Sequence, residues 1–111
     1  MRTFDAVVRL EVEHTLRNRG DEVHIWISGE LDIATHDDLQ SGLADVPLDG
    51  ATVVRLNLSG LTFCDARGAC LLLAYLEQAR YRGSLAWIDS PTRPVRRILE
   101  LIDPQGARSG G

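Results

Sequence analysis

The residues best equipped for chemistry stand together between Val53 and Leu73. Asp65 is followed by Ala66, Arg67 and Gly68. Cys64 precedes it, Cys70 lies beyond it, and the hydroxyls of Ser59 and Thr62 are just upstream. The apolar-rich run from Val53 to Leu58 predicts a strand, the next residues a polar turn, and the stretch from about Arg67 to Tyr81 a helix. Such a corner leaves backbone N–H groups and the positive end of a helix at the surface, where an anion or a partner meets them. Asp65 suits the N-cap of that helix and also offers a polar contact. Ser59 and Thr62 either bond their own backbone, as turn hydroxyls do, or accept a modification. Cys64 sits beside a helix N-terminus, a position that activates thiols, so oxidation of Cys64 or Cys70 is a second chemistry open to this stretch.

Other chemistries are excluded by what is missing. Two cysteines six apart make neither a disulfide framework nor a zinc site, and the expectation is two reduced, partly buried thiols. No metal and no cofactor are expected. Gly60 and Gly68 lack the spacing and the lysine of a phosphate-binding loop. Glu30 and Asp32 approach Asp65 if the strand ends align, forming an acidic rim, but no opposing base or substrate pocket turns these acids into a catalytic pair. The chain reads as a non-enzyme. His14 and His24 fall on outward positions of their strands and are expected to be solvated.

Charge and hydropathy narrow the class further. A formal net charge of −4 argues against non-specific nucleic-acid binding. All 12 cations are arginine, the better residue for planar recognition of carboxylate and phosphate, although codon usage explains the same count. No apolar run approaches the ~20 residues of a membrane helix, and Met1–Asp5 leads into an alternating strand without a signal-peptide core. A cytoplasmic protein without a membrane role is expected. At 111 residues one domain is expected, with a core from about 4 to 103 and a flexible tail from 104 to 111.

The remaining elements must hold the corner in place. Val8, Leu10 and Val12 alternate with Arg9, Glu11 and Glu13, and Val23, Ile25 and Ile27 with His24, Trp26 and Ser28. This predicts an antiparallel hairpin with a fairly long loop around Asn18–Asp21. Thr35 with Asp38 resembles a capping box opening a helix through Leu39 and Leu43, which stops near Asp45–Pro47. Gly83 is a helix stop; Ser84–Asp89 predicts a strand carrying Leu85, Trp87 and Ile88. Ser90 as N-cap and Pro91 at N1 open a last helix with Val95, Ile98, Leu99 and Ile102 on one face. The fold class is therefore α/β: a mixed four-stranded sheet with one antiparallel edge hairpin, the remaining strands parallel, and right-handed crossover helices. If the parallel strands are spatially sequential, the helices share one face and leave the other less covered.

Three motifs in register carry a family resemblance. Ser28-Gly29-Glu30-Leu31-Asp32 with Ala34-Thr35, Leu56 to Asp65, and Ser90-Pro91 through Leu101 resemble the corresponding segments of STAS domains. These are shared by anti-anti-sigma factors (anti-sigma factor antagonists) and the cytoplasmic ends of sulphate transporters. The likeness spans about residues 4 to 103. It implies a single-domain STAS-like fold and a bacterial regulator of transcription that works by partner switching. Such a protein binds an anti-sigma factor with a serine-kinase, ATPase-fold domain and so frees a sigma factor. It also implies that the residue after the corner Asp is the phosphoacceptor. Here that position is Ala66, which has no hydroxyl, and Arg67 replaces the next hydroxyl residue. Carried over residue by residue, the partner-binding set is Glu30, Asp32, Thr62, Cys64, Asp65, Ala66, Arg67 and Gly68, with Ser59 and Thr62 as alternative phosphosites. A monomer or weak dimer is expected. The alternative is a STAS scaffold subunit of a multi-protein signalling or lipid-transport complex, redox-modulated through Cys64 and Cys70.

Overall fold

The computed structural model describes residues 7–18 and 20–104. The start of the expected core, 4–6, and the expected tail from 105 onwards lie outside the described residues. The element order is β1 (Val8–Arg17), β2 (Gly20–Leu31), α1 (His36–Ala44), β3 (Ala51–Cys64), α2 (Ala66–Tyr81), β4 (Leu85–Asp89) and α3 (Arg93–Ile102). The sheet runs β1-β2-β3-β4, with β1 antiparallel to β2 and the other two pairings parallel. This is the expected mixed sheet. No helix among the described residues is long and apolar enough to cross a membrane.

One parity of each parallel strand builds the core. Val23, Ile25 and Ile27 of β2, Val54, Leu56 and Leu58 of β3, and Ala86 and Ile88 of β4 are buried with Leu39, Leu72, Leu76, Val95 and Leu99 from the helices. The other parity, including His24, Trp26, Arg55, Trp87 and Asp89, stays half-buried on the uncovered face. Sequential parallel strands with same-handed crossovers place their helices on one side, and this asymmetry follows.

Several boundaries differ from the sequence expectation. The hairpin loop is short, because β1 and β2 pair out to Arg17 and Gly20. Backbone pairing carries the ladder past the core, so Leu16 is in a strand although it is 85% exposed. The predicted polar turn from Ser59 is strand: β3 runs on to Cys64. Register shifts opposite Trp26–Ser28 and Gly29–Glu30 each insert an extra β3 residue, so burial steps from Leu58 to Leu61 to Cys64 instead of alternating. The turn-like signal is local, since Asn57 Oδ1 accepts from both the N–H (3.0 Å) and the hydroxyl (2.7 Å) of Ser59.

The capping box at α1 is not formed. Thr35 is the N-cap, but its hydroxyl donates to the Glu30 carbonyl (2.7 Å) and accepts from the Asp32 N–H (3.0 Å), which ties the preceding turn instead. The last helix starts later than expected, with Thr92 as N-cap and its hydroxyl on the Leu61 carbonyl at 2.9 Å. Within β4, Ala86 and Ile88 face the core, whereas Leu85 is largely exposed. Gly83 adopts φ +100 after α2, as a stop requires.

Candidate functional site

The corner is tighter than the sequence suggests: only Asp65 separates β3 from α2. Its N–H donates to the Leu31 carbonyl at 3.0 Å, which aligns the ends of β2 and β3. Its own carbonyl accepts from the Ala69 N–H at 2.9 Å, the first turn of the helix. Asp65 Oδ1 accepts from the Gly68 N–H at 2.7 Å, so the carboxylate is a true N-cap. His36 Nε2 lies 2.8 Å from Oδ1 and 3.0 Å from Oδ2. An ionised carboxylate only accepts, so this nitrogen carries the proton. Partial burial works to raise the Asp65 carboxyl. The hydrogen bonds from His36 and Gly68 outweigh it and hold the group below its ordinary range.

Around this pin the side chains divide into supports and surface. Ala66 and Arg67 are exposed on the first turn of α2, while Gly68 is buried against Leu31. A shallow cleft beside them is lined by Ile33, His36, Asp37, Asp65 and Arg67. Ile33 is 88% exposed and His36 only 6%.

A family model described as "Mlab, STAS domain" matches residues 14–106. The chain belongs to the STAS domain family. Among solved structures, the STAS chain resembles the anti-sigma factor antagonist SpoIIAA in its unphosphorylated form, with TM-score 0.62 and 20% identity over 86% of this chain and 83% of that one. An anti-sigma factor antagonist from Mycobacterium paratuberculosis gives 0.66 and 19% over 85% and 78%. The Bacillus cell fate determinant SpoIIAA in its phosphorylated form gives 0.59 and 18% over 84% of each chain. At such identities the likeness establishes a common fold. No curated protein matches the chain.

Within this STAS fold the sequence-predicted residues fall into three groups. Cys64, Asp65, Ala66, Arg67 and Gly68 form the corner, and Glu30 and Leu31 pair with Phe63 and Cys64 beside it. Asp32 lies next along the chain, and its carboxylate accepts from the Ala34 N–H of its own loop at 2.9 Å. The side chain that bonds the Asp65 carboxylate is His36. Thr62 is exposed, with its hydroxyl donating to the Gly29 carbonyl at 3.1 Å. Ser59 is at the bulge, five residues from Cys64 along β3, and is not brought to the corner.

The two thiols separate. Cys64 is buried, and burial followed by the Asp65 charge pushes its pKa up to about 12. The helix N-terminus does not win here, and the thiol stays protonated. Cys70, expected to be partly buried, is exposed one turn beyond Ala66.

Sequence reasoning missed His36 and Ile33. Nothing local marks His36, because its partner is 29 residues away. His24 is also more than a solvated side chain. It stacks on Trp26 with centroids 3.6 Å apart, and its Nε2 is buried without a partner among the described residues. Burial, and then Arg55, lowers its pKa below 6.5. His14 is exposed as expected, 2.7 Å from Asp21.

Proposed function

We propose that this STAS chain is a docking module of the anti-anti-sigma type. It binds an anti-sigma factor with a serine-kinase, ATPase-fold domain in the cytoplasm and thereby frees a sigma factor, without itself being an enzyme. The observation that carries the reading is an exposed Ala66 at the first position of α2, on a corner otherwise fully constructed by Asp65 and Gly68. The build favours recognition, since the surface is held in one geometry. The alanine removes the switch, since no hydroxyl is there to receive the roughly −1.5 to −2 charges of a phosphate.

Docking would use the exposed residues of the α2 N-terminus and the neighbouring strand ends, Glu30, Thr62, Ala66 and Arg67 with Ile33 beside them, while Asp32, Cys64, Asp65 and Gly68 hold that surface in place from behind. Relocated phosphorylation is disfavoured by hydroxyls that are already engaged, Ser59 on Asn57 and Thr62 on Gly29. The chain then acts as an antagonist that is permanently on.

A second reading is a scaffold subunit of a multi-protein signalling or lipid-transport ATPase assembly. It is favoured by the description of the matching family model and by the absent acceptor. Both readings use a protein partner at the corner, so the test turns on which partner docks there. Calorimetry with anti-sigma kinases of the same organism is expected to give a complex with the wild-type chain. Ala66→Trp, a substitution at an exposed position, is expected to weaken it at least roughly tenfold by filling the centre of the contact. Absence of any kinase complex, with a stable co-purifying transport ATPase instead, would establish the scaffold.

A further inference from the structure

His36 takes no part in the family resemblance, yet it ties two segments that are 29 residues apart. It opens α1, its backbone N–H bonds the Asp32 carbonyl at 3.0 Å, and its ring is almost wholly buried. From there Nε2 reaches both oxygens of Asp65, the residue whose Oδ1 also caps α2 through the Gly68 N–H. A cap held by one donor leaves its carboxylate free to turn about its terminal torsion, which is broad. Here donors from two different helices fix that plane.

We infer that His36 is a positioning residue for the docking corner: it bolts the turn carrying Ile33 to the first turn of α2, where Ala66 and Arg67 face the partner. The bolt fixes the distance and angle between the exposed apolar side chain and the exposed helix N-terminus, so the partner meets a surface that needs no ordering on binding. Arg67 from α2 and Asp37 from α1 line the same cleft as the pair. The part of this inference that concerns affinity rests on the docking function proposed above; the part that concerns the corner's geometry stands without it.

The test uses the full chain with His36→Gln, which keeps a donor at the reach of Nε2, and His36→Leu, which fills the space without one. Amide hydrogen exchange is read at Gly68 and, as an internal control, at core residues Ile25 and Leu56. The expected result is Gly68 exchange faster by roughly five- to tenfold in His36→Leu, the size of a weakened helix cap, with near-wild-type protection in His36→Gln. If His36→Leu does not fold, His36→Asn, whose amide stops short of Asp65, takes its place with the same expectation. Equal Gly68 protection in the Leu and Gln variants, or in the Asn and Gln variants, would overturn the inference and leave His36 a space-filling residue. With an anti-sigma kinase that binds the wild-type chain, His36→Leu should lose affinity and His36→Gln retain it; unchanged affinity in His36→Leu also overturns it. If no kinase binds the wild-type chain, the docking function fails and the exchange measurement still decides the role of His36.

Discussion

A Cβ at position 68 would stand 2.5 Å from Leu31 Cγ and 2.7 Å from its Cδ2, and Leu31 is fully buried with no room to retreat. Gly68 is thus required by close approach of α2 to β2. Gly68→Ala is expected to cost about 1–3 kcal/mol by overpacking, measured as a fall in the urea midpoint. Asp65 has a folded pKa below its ordinary 3.8, so the unfolded chain takes up its proton first. Its stabilisation is complete above that ordinary value and is lost as pH falls through the folded one. His24 behaves in the same sense from a different start: with a folded pKa below 6.5, it favours the folded state above that value and loses the contribution as pH falls further. Urea midpoints should therefore decline in two limbs on acidification. His24→Gln should remove the upper limb and Asp65→Asn the lower; a profile unchanged by either substitution contradicts these assignments. The N-cap role of Asp65 was legible because capping is local chemistry. The role of His36 was not, because Asp65 is brought up by another element; for His24 the Arg55 charge likewise comes from β3, although its stacking partner Trp26 lies on its own strand.

Elements were legible in kind and order, and less so at their ends. The alternation of Val54, Leu56 and Leu58 identifies β3, but the bulges break that period before Leu61 and Cys64, so the strand's last third resembles a turn. The same logic shifted the last helix: Ser90 and Pro91 have cap chemistry, yet Ser90 takes φ +54 and Thr92 becomes the cap that reaches Leu61. Gly29 shows the demand that bulged pairing makes on a single residue. It adopts φ +104, and a side chain there would collide with the Val7 carbonyl. Gly29 pairs with Val8 on one side and Leu61 on the other. Gly29→Ala should cost at least about 2 kcal/mol by chemical denaturation, from backbone strain and a disrupted ladder between β1 and β2.

At the scale of the molecule, two crossovers of one hand put the helices on one face and bring the C-terminal ends of β2 and β3 to the start of α2. That topology was legible from the alternation of strands and helices, and it places the corner at a free end of the sheet, open to a partner. The uncovered face, with both tryptophans and the Arg55–Asp89 pair at 2.6 Å, was anticipated only as less covered; its side-chain pairing depends on register, which the sequence does not state. Docking of a kinase-type anti-sigma factor at this corner, without phosphorylation of it, is the function proposed for the chain. Intact mass after incubation with such a kinase and ATP decides it, using the wild-type chain and Ala66→Ser in parallel. No added phosphate is expected on the wild-type chain, which nevertheless binds, and one phosphate on Ala66→Ser. Phosphate on the wild-type chain, pointing to Ser59 or Thr62, would contradict it, as would an Ala66→Ser variant that binds the kinase and remains unmodified.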